Sequence, residues 1–384
     1  MRKMQQGSLE IIDVIRDNPC GISKRDIFPQ VSLSWGGICL AVKRALEKQY
    51  IVESPAKVVA RGRPCILLNI IPNAVFFVGV DIGSTSTKLV ICDFNFSIRF
   101  SQIEPTPTYT EPSKFYSWLT DLIRRAIPAA IRDKVQGIGI AVSGNVDSAK
   151  GIIVSGGNFG MHYGSNIAVD EISKRLQIPC YAMNTQVASV YAEYHFGQFA
   201  KTPNIVNIGL GVGIGSGVVS DHQLLHSGAR NQVGYIGHML MPGNPYRCKN
   251  TGCNFIGCLE AFTGGNSLCA IAKARFGQEG DLTTREVDQM ASAGHPGAVE
   301  LLTQAAEYNS IGIATMIQMY APDVVIFSGG QCRLNGFLYL QTLQQLLKRM
   351  PAERQNFKIG LSVLGENQGA IGAARLAYEQ LLNL

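Results

Sequence analysis

The spacing of apolar positions changes several times within the first 70 residues. Residues 8–17 (S-L-E-I-I-D-V-I-R-D) repeat apolar side chains at helical spacing. Gly21 and Ser23 interrupt the pattern, and K-R-D-I-F follows as a short second helix. Ser34 has the chemistry of an N-cap, and residues 35–49 form a third helix with Ile38, Val42 and Leu46 on one face. Residues 50–53 and 65–69 then predict a hairpin around K-V-V-A-R-G-R-P. Three short helices and a two-stranded wing make a winged helix-turn-helix. A small helical dimerisation domain would share much of this pattern.

Beyond Pro72 the period alternates between strand and helix. Residues 75–80 predict a buried strand running into D-I-G-S-T-S-T-K, and residues 89–93 its antiparallel return. Helices are predicted at 115–131, 168–175 and 187–195, and strands at 135–142 and 178–183. A second strand–turn–strand unit spans 204–219, with glycines at 209, 211, 213, 215 and 217. Because a strand follows rather than a helix, this is not a Rossmann fingerprint. Helices at 258–276, 284–292, 297–320 and 336–349, a strand at 321–331 and another at 358–363 lead to a closing helix at 369–382. The repeated unit predicts an α/β protein of two similar lobes, 71–186 plus 365–384 and 187–364, behind a head at 1–70.

Composition narrows the class. With 384 residues, 46% hydrophobic and 16% charged, the chain suits a globular protein of two or three domains. No apolar run reaches the ~20 residues of a membrane span, and nothing after Met1 has the profile of a signal peptide. These features lead us to expect a cytoplasmic protein with no membrane partner and reduced cysteines. The net charge of +6 is uneven: residues 1–70 hold 11 Lys/Arg against 6 Asp/Glu. A basic head on a near-neutral body points to a polyanion partner for the head, here double-stranded DNA. The N-terminal residues of the third helix, Ser34, Trp35 and Cys39, are the candidate base readers. Lys43 and Arg44 are expected at phosphates, and Arg61 and Arg63 at phosphate or the minor groove.

Two stretches carry other chemistry. His238 is followed by Cys248, Cys253 and Cys258, with nine, four and four residues between them. Three thiolates and an imidazole on a loop rich in Gly, Pro and Asn suit a closed, structural tetrahedral zinc site. The alternative is a set of unrelated buried thiols. In the first hairpin, Asp81 is suited to a magnesium-bound water, and the Gly83–Thr85 backbone to phosphate. Gly211 and Gly213 suit the same role in the second, and the diglycine of 321–331 is placed to meet an adenosine.

Together these segments resemble the ROK family (repressors, open reading frames and sugar kinases). The phosphate motif is matched by Asp81, Gly83, Thr85 and Lys88, the glycine run by G-V-G-I-G-S-G, and the metal signature by Gly237-His238 through Cys258-Leu259-Glu260. The head and the Arg-Gly-Arg-Pro of 61–64 resemble the family's repressor branch. The resemblance implies an actin-like, ribonuclease H-like two-lobed fold, a sugar site between the lobes, and a homodimer or homotetramer. It makes Asn158, Asn184, His238 and Glu260 candidate sugar contacts. The asparagines would also serve as turn formers, and Glu260 as an acid favoured at a helix start.

The departures bear on function. Thr185 stands where the family's kinases have their catalytic aspartate, and a hydroxyl has no useful basicity near neutral pH. Tyr235 replaces a sugar-binding glutamate, Ser143 a proline, and Val212 a phosphate-turn threonine. Cys248 and Cys253 are separated by four residues instead of one, which alters the loop but not its ligand types. The leading expectation is a sugar-responsive transcriptional regulator acting as a repressor on operator DNA, with a sugar or sugar phosphate as effector and no catalysis. The alternatives are an ATP-dependent sugar kinase with a DNA-binding head and a DNA-binding protein whose sugar site has decayed.

Overall fold

The structure, a computed structural model, describes residues 2–55, 65–109, 111–156, 166–226, 233–250, 253–277 and 280–381. Arg61, Arg63 and Asn158 lie outside the described residues.

The head consists of α1 (Arg2–Arg16), α2 (Lys24–Ile27), α3 (Trp35–Glu47), β1 (Ile51–Pro55) and β2 (Ile66–Ile70). Both short helices begin on a serine. Ser23 accepts from Asp26 N–H, and Ser34 from Gly37 N–H, each satisfying one of the donors a helix start leaves open. β1 pairs antiparallel with β2, and Ile22 bridges to Leu68 beside them. The expected winged helix is present. Its apolar side chains (Ile12, Ile15, Ile38, Val42, Leu68) form one continuous core with Phe77, Phe94, Phe96, Ala374 and Tyr378 of the body.

The first lobe follows with β3 (Phe76–Ile82), β4 (Ser86–Asp93), β5 (Ile98–Pro105), α4 (Pro112–Ala126), β6 (Val135–Val142), β7 (Asn145–Asp147), β8 (Ile152–Ser155), β9 (Ile167–Ala168), α5 (Val169–Leu176) and β10 (Cys180–Asn184), and α6 (Thr185–Phe196) leads from it into the second. Its main sheet has the order β10-β6-β3-β4-β5. β3 and β4 pair antiparallel, while β3, β6 and β10 run parallel. The periodicity left β5 unassigned because it is an edge strand, exposed along most of its length.

The second lobe repeats the plan. It contains β11 (Ile205–Leu210), β12 (Ile214–Ser220), β13 (Gln223–Leu224), α7 (Leu259–Thr263), α8 (Gly265–Phe276), α9 (Thr284–Ser292), α10 (Pro296–Tyr320), β14 (Val324–Ser328), α11 (Phe337–Arg349) and β15 (Lys358–Leu361). The sheet order is β13-β12-β11-β14-β15. A central strand again has an antiparallel hairpin on one side and parallel strands on the other. The single helix expected over 258–276 is broken at Gly264, which has extended backbone between α7 and α8.

The last helix, α12 (Gln368–Leu381), returns to the first sheet and fits it closely. A Cβ on Gly79 would stand 1.8 Å from Ala370 O, and one on Gly139 1.7 Å from Ala373 O. No side chain larger than hydrogen fits at either position. On its other side, α12 meets α6 through Gly372 and Ala188, while α6 lies on β12 through Gly217. A buried polar network joins the same elements. Gln368 Nε2 donates to Glu193 Oε1 (2.8 Å) and to Asn207 Oδ1 (3.2 Å), and Ser362 Oγ donates to Glu193 Oε1 (2.5 Å).

An ionic cluster joins head to body. Arg375 of α12 donates through both terminal nitrogens to Asp13 of α1, at 2.8 and 2.5 Å, and also reaches Glu379 at 3.0 Å. Arg16 pairs with the same Asp13 carboxylate and donates to Phe94 O at 3.0 Å. Tyr378 Oη donates to Asp13 Oδ1 at 3.0 Å, and both guanidiniums lie over its ring. Burial works to raise the Asp13 pKa, but the Arg375 and Arg16 charges overturn this and hold the carboxyl well below its usual range.

Arg375→Met should leave Asp13 buried without its main partner and lower unfolding stability by about 3–5 kcal/mol in denaturant melts. Replacing Asp13 by Leu in the same chain should recover most of that loss. Because the folded-state pKa of Asp13 is depressed, its contribution is present above the unfolded value of about 3.9 and fades as pH falls below it. The acid limb of a stability–pH curve should therefore flatten in the double variant.

Candidate functional site

The ends of β3, β6 and β10 converge, and the sequence departures meet there. Asp81 closes β3, pairs in register with Lys88 and is buried, 6% exposed. Burial raises its pKa against the opposing effects of Lys88 and Thr185. Thr185 opens α6 and donates from Oγ1 to Asp81 Oδ1 at 2.8 Å. Ser143 Oγ donates to Thr185 Oγ1 at 3.4 Å. The α12 backbone at Gly369 presses on the same carboxylate, where a Cβ would lie 2.6 Å from Asp81 Oδ2. The hairpin turn is tight: Gly83 N–H donates to Ser86 O, and Thr106 N–H to Thr85 O.

Asn184 is engaged at both ends of its amide. Its Oδ1 accepts from Gln186 N–H, capping α6, and its Nδ2 donates to Gly144 O at 2.8 Å. Tyr235, from the segment following the second hairpin, donates from Oη to the same carbonyl at 3.2 Å. The phenol thus spans from the second lobe to the first. Burial, with Glu260 nearby, pushes its pKa up to about 12, so it is a donor at neutral pH. Its ring lies 5.6 Å from the His238 ring.

Glu260 sits in the first turn of α7 and is 8% exposed. Its Oε2 accepts from Ile214 N–H at 2.8 Å and its Oε1 from Asn250 Nδ2 at 3.3 Å. Burial raises its pKa, opposed by His238. The glycine turn between β11 and β12 is closed by Gly211 N–H donating to Gly213 O. Gln331 Nε2 donates to Gly211 O at 2.6 Å. Gln186 fills the space above Gly209 and Gly215 and accepts from Asn207 Nδ2. Gln186, Asn207, Gln331 and Gln368 have no signal in the sequence, since each lies in an apolar or loop context. The packing of α6 and α12 brings Gln186, Asn207 and Gln368 together, while Gln331 joins the glycine turn to Thr263 O.

His238, Cys248, Cys253 and Cys258 form a second cluster, with ligand atoms all within 4.8 Å of one another. Four ligands around a zinc-sized ion place sulfurs about 3.8 Å apart, so a small contraction would complete the set. The loop is held as an irregular hairpin by the Leu240–Cys258 and Arg247–Ile256 bridges. Met241 N–H donates to Gly257 O and Cys248 N–H to Phe255 O, both at 2.7 Å. Gly257 adopts φ 88°, open to glycine at little cost. Within the loop, Cys253 N–H donates to Asn250 O. His238 Nδ1 is buried with no hydrogen-bond partner among the described residues. Contact with Cys248, and then with His238, holds the Cys258 thiol below the usual thiol range, and the same Cys248–Cys258 contact pushes Cys248 up, so the two sulfurs share one proton. These four residues could hold a metal ion, and the donor set fits.

The structure therefore gathers Asp81, Thr185, Asn184 and Tyr235 at one cleft, with His238 and Glu260 at its second-lobe edge beside the metal-type loop. Gly211 and Gly213 lie on the glycine turn next to Glu260's partner Ile214. Ser34, Trp35, Cys39, Lys43 and Arg44 are grouped separately on α3.

Two β-sheets of matching topology, a polar cluster that joins them and an N-terminal winged helix define an actin-like two-lobed protein with a DNA-binding-type head. A model of the ROK family matches residues 77–380, and the chain belongs to that family. It is similar to the xylose repressor of Caldicellulosiruptor bescii, 24% identical over 99% of this chain and 97% of that protein. The glucokinase of Streptomyces coelicolor is 25% identical over 79% of this chain and 97% of its own. Among solved structures, a ROK family transcriptional regulator described as a homolog of the E. coli MLC protein superposes with a TM-score of 0.80. That match is at 21% identity and covers 100% of this chain and 97% of the other. No helix among the described residues is long and apolar enough to cross a membrane.

Cys253→Ser should remove one ligand and lower the metal content of the purified protein about tenfold or more. Elemental analysis of protein purified without chelator is the check, and the unmodified chain should hold close to one ion.

Proposed function

We propose that this protein is a sugar-responsive transcriptional repressor without catalytic activity. The head (1–70) binds operator DNA, and the lobes (71–186 plus 365–384, and 187–364) hold a sugar or sugar phosphate. One observation carries the reading: the Asp13–Arg375 joint fixes α1 of the head to α12, α3 shares the core beneath it, and α12 also lies against both α6 and the Asp81 carboxylate. An effector that favours one lobe arrangement would change the orientation of the head, provided its affinity differs between the two states. Asn158, Asn184, His238 and Glu260 are the proposed sugar contacts. The Thr185 hydroxyl has no useful basicity toward a sugar hydroxyl near neutral pH, and Asp81, Gly83, Thr85, Gly211 and Gly213 are the remnant of a nucleotide-phosphate site.

In this reading the metal is zinc and structural, because four protein ligands leave no open position for water. Folding the loop round it positions His238 and Glu260. The chain acts as a homodimer or homotetramer on paired half-sites, in the cytoplasm. The similarity to a xylose repressor puts xylose among the first effectors to test. A bound effector at 100 times its Kd should stabilise the protein by about 2.7 kcal/mol. A thermal-shift panel of pentoses, hexoses, amino sugars and their phosphates, followed by DNA-release assays, is the experiment. A panel with no stabilising compound would favour a regulator whose cleft is closed permanently by Tyr235.

A second reading, a sugar kinase with a DNA-binding head, is favoured by the intact Asp81 turn and by the similarity to a glucokinase. We expect no turnover at the ~1–100 s⁻¹ typical of kinases in a coupled assay with ATP and the same sugars; turnover at such rates would overturn the repressor-only reading. Replacing Arg61 and Arg63 with Ala should weaken DNA binding and reduce the magnitude of the log K against log salt slope by about 2.

A further inference from the structure

The N-terminal half of α3 presents apolar side chains outward, ahead of the exposed Lys43 and Glu47. Trp35 is 49% exposed and Leu40 41%, and Phe28, 48% exposed, lies edge-on to Trp35 with ring centroids 6.0 Å apart. Among the described residues, nothing lies within 4 Å of where a side chain at Gly36 would begin. Polar groups that could read base edges are few. The Ser34 hydroxyl oxygen is occupied by Gly37 N–H, Cys39 is half-buried, and Lys43 pairs loosely with Glu47 at 3.9 Å. Side chains that discriminate bases by paired hydrogen bonds, such as Arg, Asn and Gln, are absent from Ser34 to Leu40.

We propose that α3 reads DNA chiefly through apolar contact, with Trp35 and Leu40 seated on thymine C5-methyl groups in the major groove. This deepens the repressor reading and rests on it. The occupant follows from charge and chemistry. The head carries 11 basic against 6 acidic residues, so its exposed helix faces a polyanion. Thymine is the standard base that presents a hydrocarbon group in the major groove, beside an O4 acceptor. The indole N–H of Trp35 is a single donor compatible with that acceptor. Phe28 limits the freedom of the Trp35 ring before DNA arrives, which lowers the entropy lost on contact. The bare backbone at Gly36 allows close approach between the two apolar contacts.

The test uses the full-length protein and duplexes selected by it from a randomised DNA library. In each selected half-site, thymines are replaced by deoxyuridine, which removes the methyl group and keeps every hydrogen-bonding edge. We expect affinity to fall about fourfold for each contacted methyl removed. Trp35→Ala and Leu40→Ala should bind more weakly and lose the discrimination between thymine and uracil, while Lys43→Ala should bind more weakly and keep it. Circular dichroism checks that the variants fold. Equal affinity for thymine and deoxyuridine duplexes would overturn the proposal and leave the repressor reading standing. Failure to enrich any duplex would overturn both. A Trp35→Ala variant whose oligomeric state changes without DNA would assign the patch to a protein contact instead.

Discussion

The structure depends on one buried guanidinium. Arg375 is 2% exposed, and a charge in that position is tolerated only because Asp13 and Glu379 neutralise it and aromatic rings cover it. Asp13 belongs to the first helix of the chain and Arg375 to the last. The pair therefore closes the molecule end to end, and it fixes the head to the body through a short, directional contact. The shared apolar core beneath it extends the same joint.

From Arg375 the contacts run inward without a gap. α12 rests on the glycines of β3 and β6, α6 rests on α12, and β12 rests on α6. Close-packed interfaces of this kind do not deform continuously; they hold one arrangement or move to another. In the proposed regulator this is the physical route between a sugar in the cleft and a helix on DNA. The Gln368–Glu193–Asn207 network crosses the same interface.

The cleft shows why the departures from the kinase pattern belong together. Ser143, Thr185 and Asp81 form one hydrogen-bonded chain, and Tyr235 and Asn184 converge on Gly144 O. The Thr185 hydroxyl supplies a donor to the Asp81 carboxylate, and the Tyr235 phenol provides a bond across the lobes. The metal-type loop stands next to this set and fixes its second-lobe edge through His238 and Glu260.

Much of this was determined by the sequence itself. Apolar period, serine caps and glycine turns specify elements locally, so the winged helix, the repeated strand–turn–strand units and most helices were legible residue by residue. The spacing of His238 and three cysteines was equally local, and the four ligand atoms do converge. Tertiary structure alone decided the rest. Nothing near Asp13 in the chain announces a partner 362 residues away, because an ion pair formed by the first and last helices has no sequence period. Edge strand β5 escaped notice because exposed positions carry no burial pattern. The bonds of Thr185 to Asp81 and of Tyr235 to Gly144 likewise arise only when strand ends and lobes are brought together. Local propensity specifies the elements; the partners of buried polar groups are set by packing, which joins residues remote in sequence.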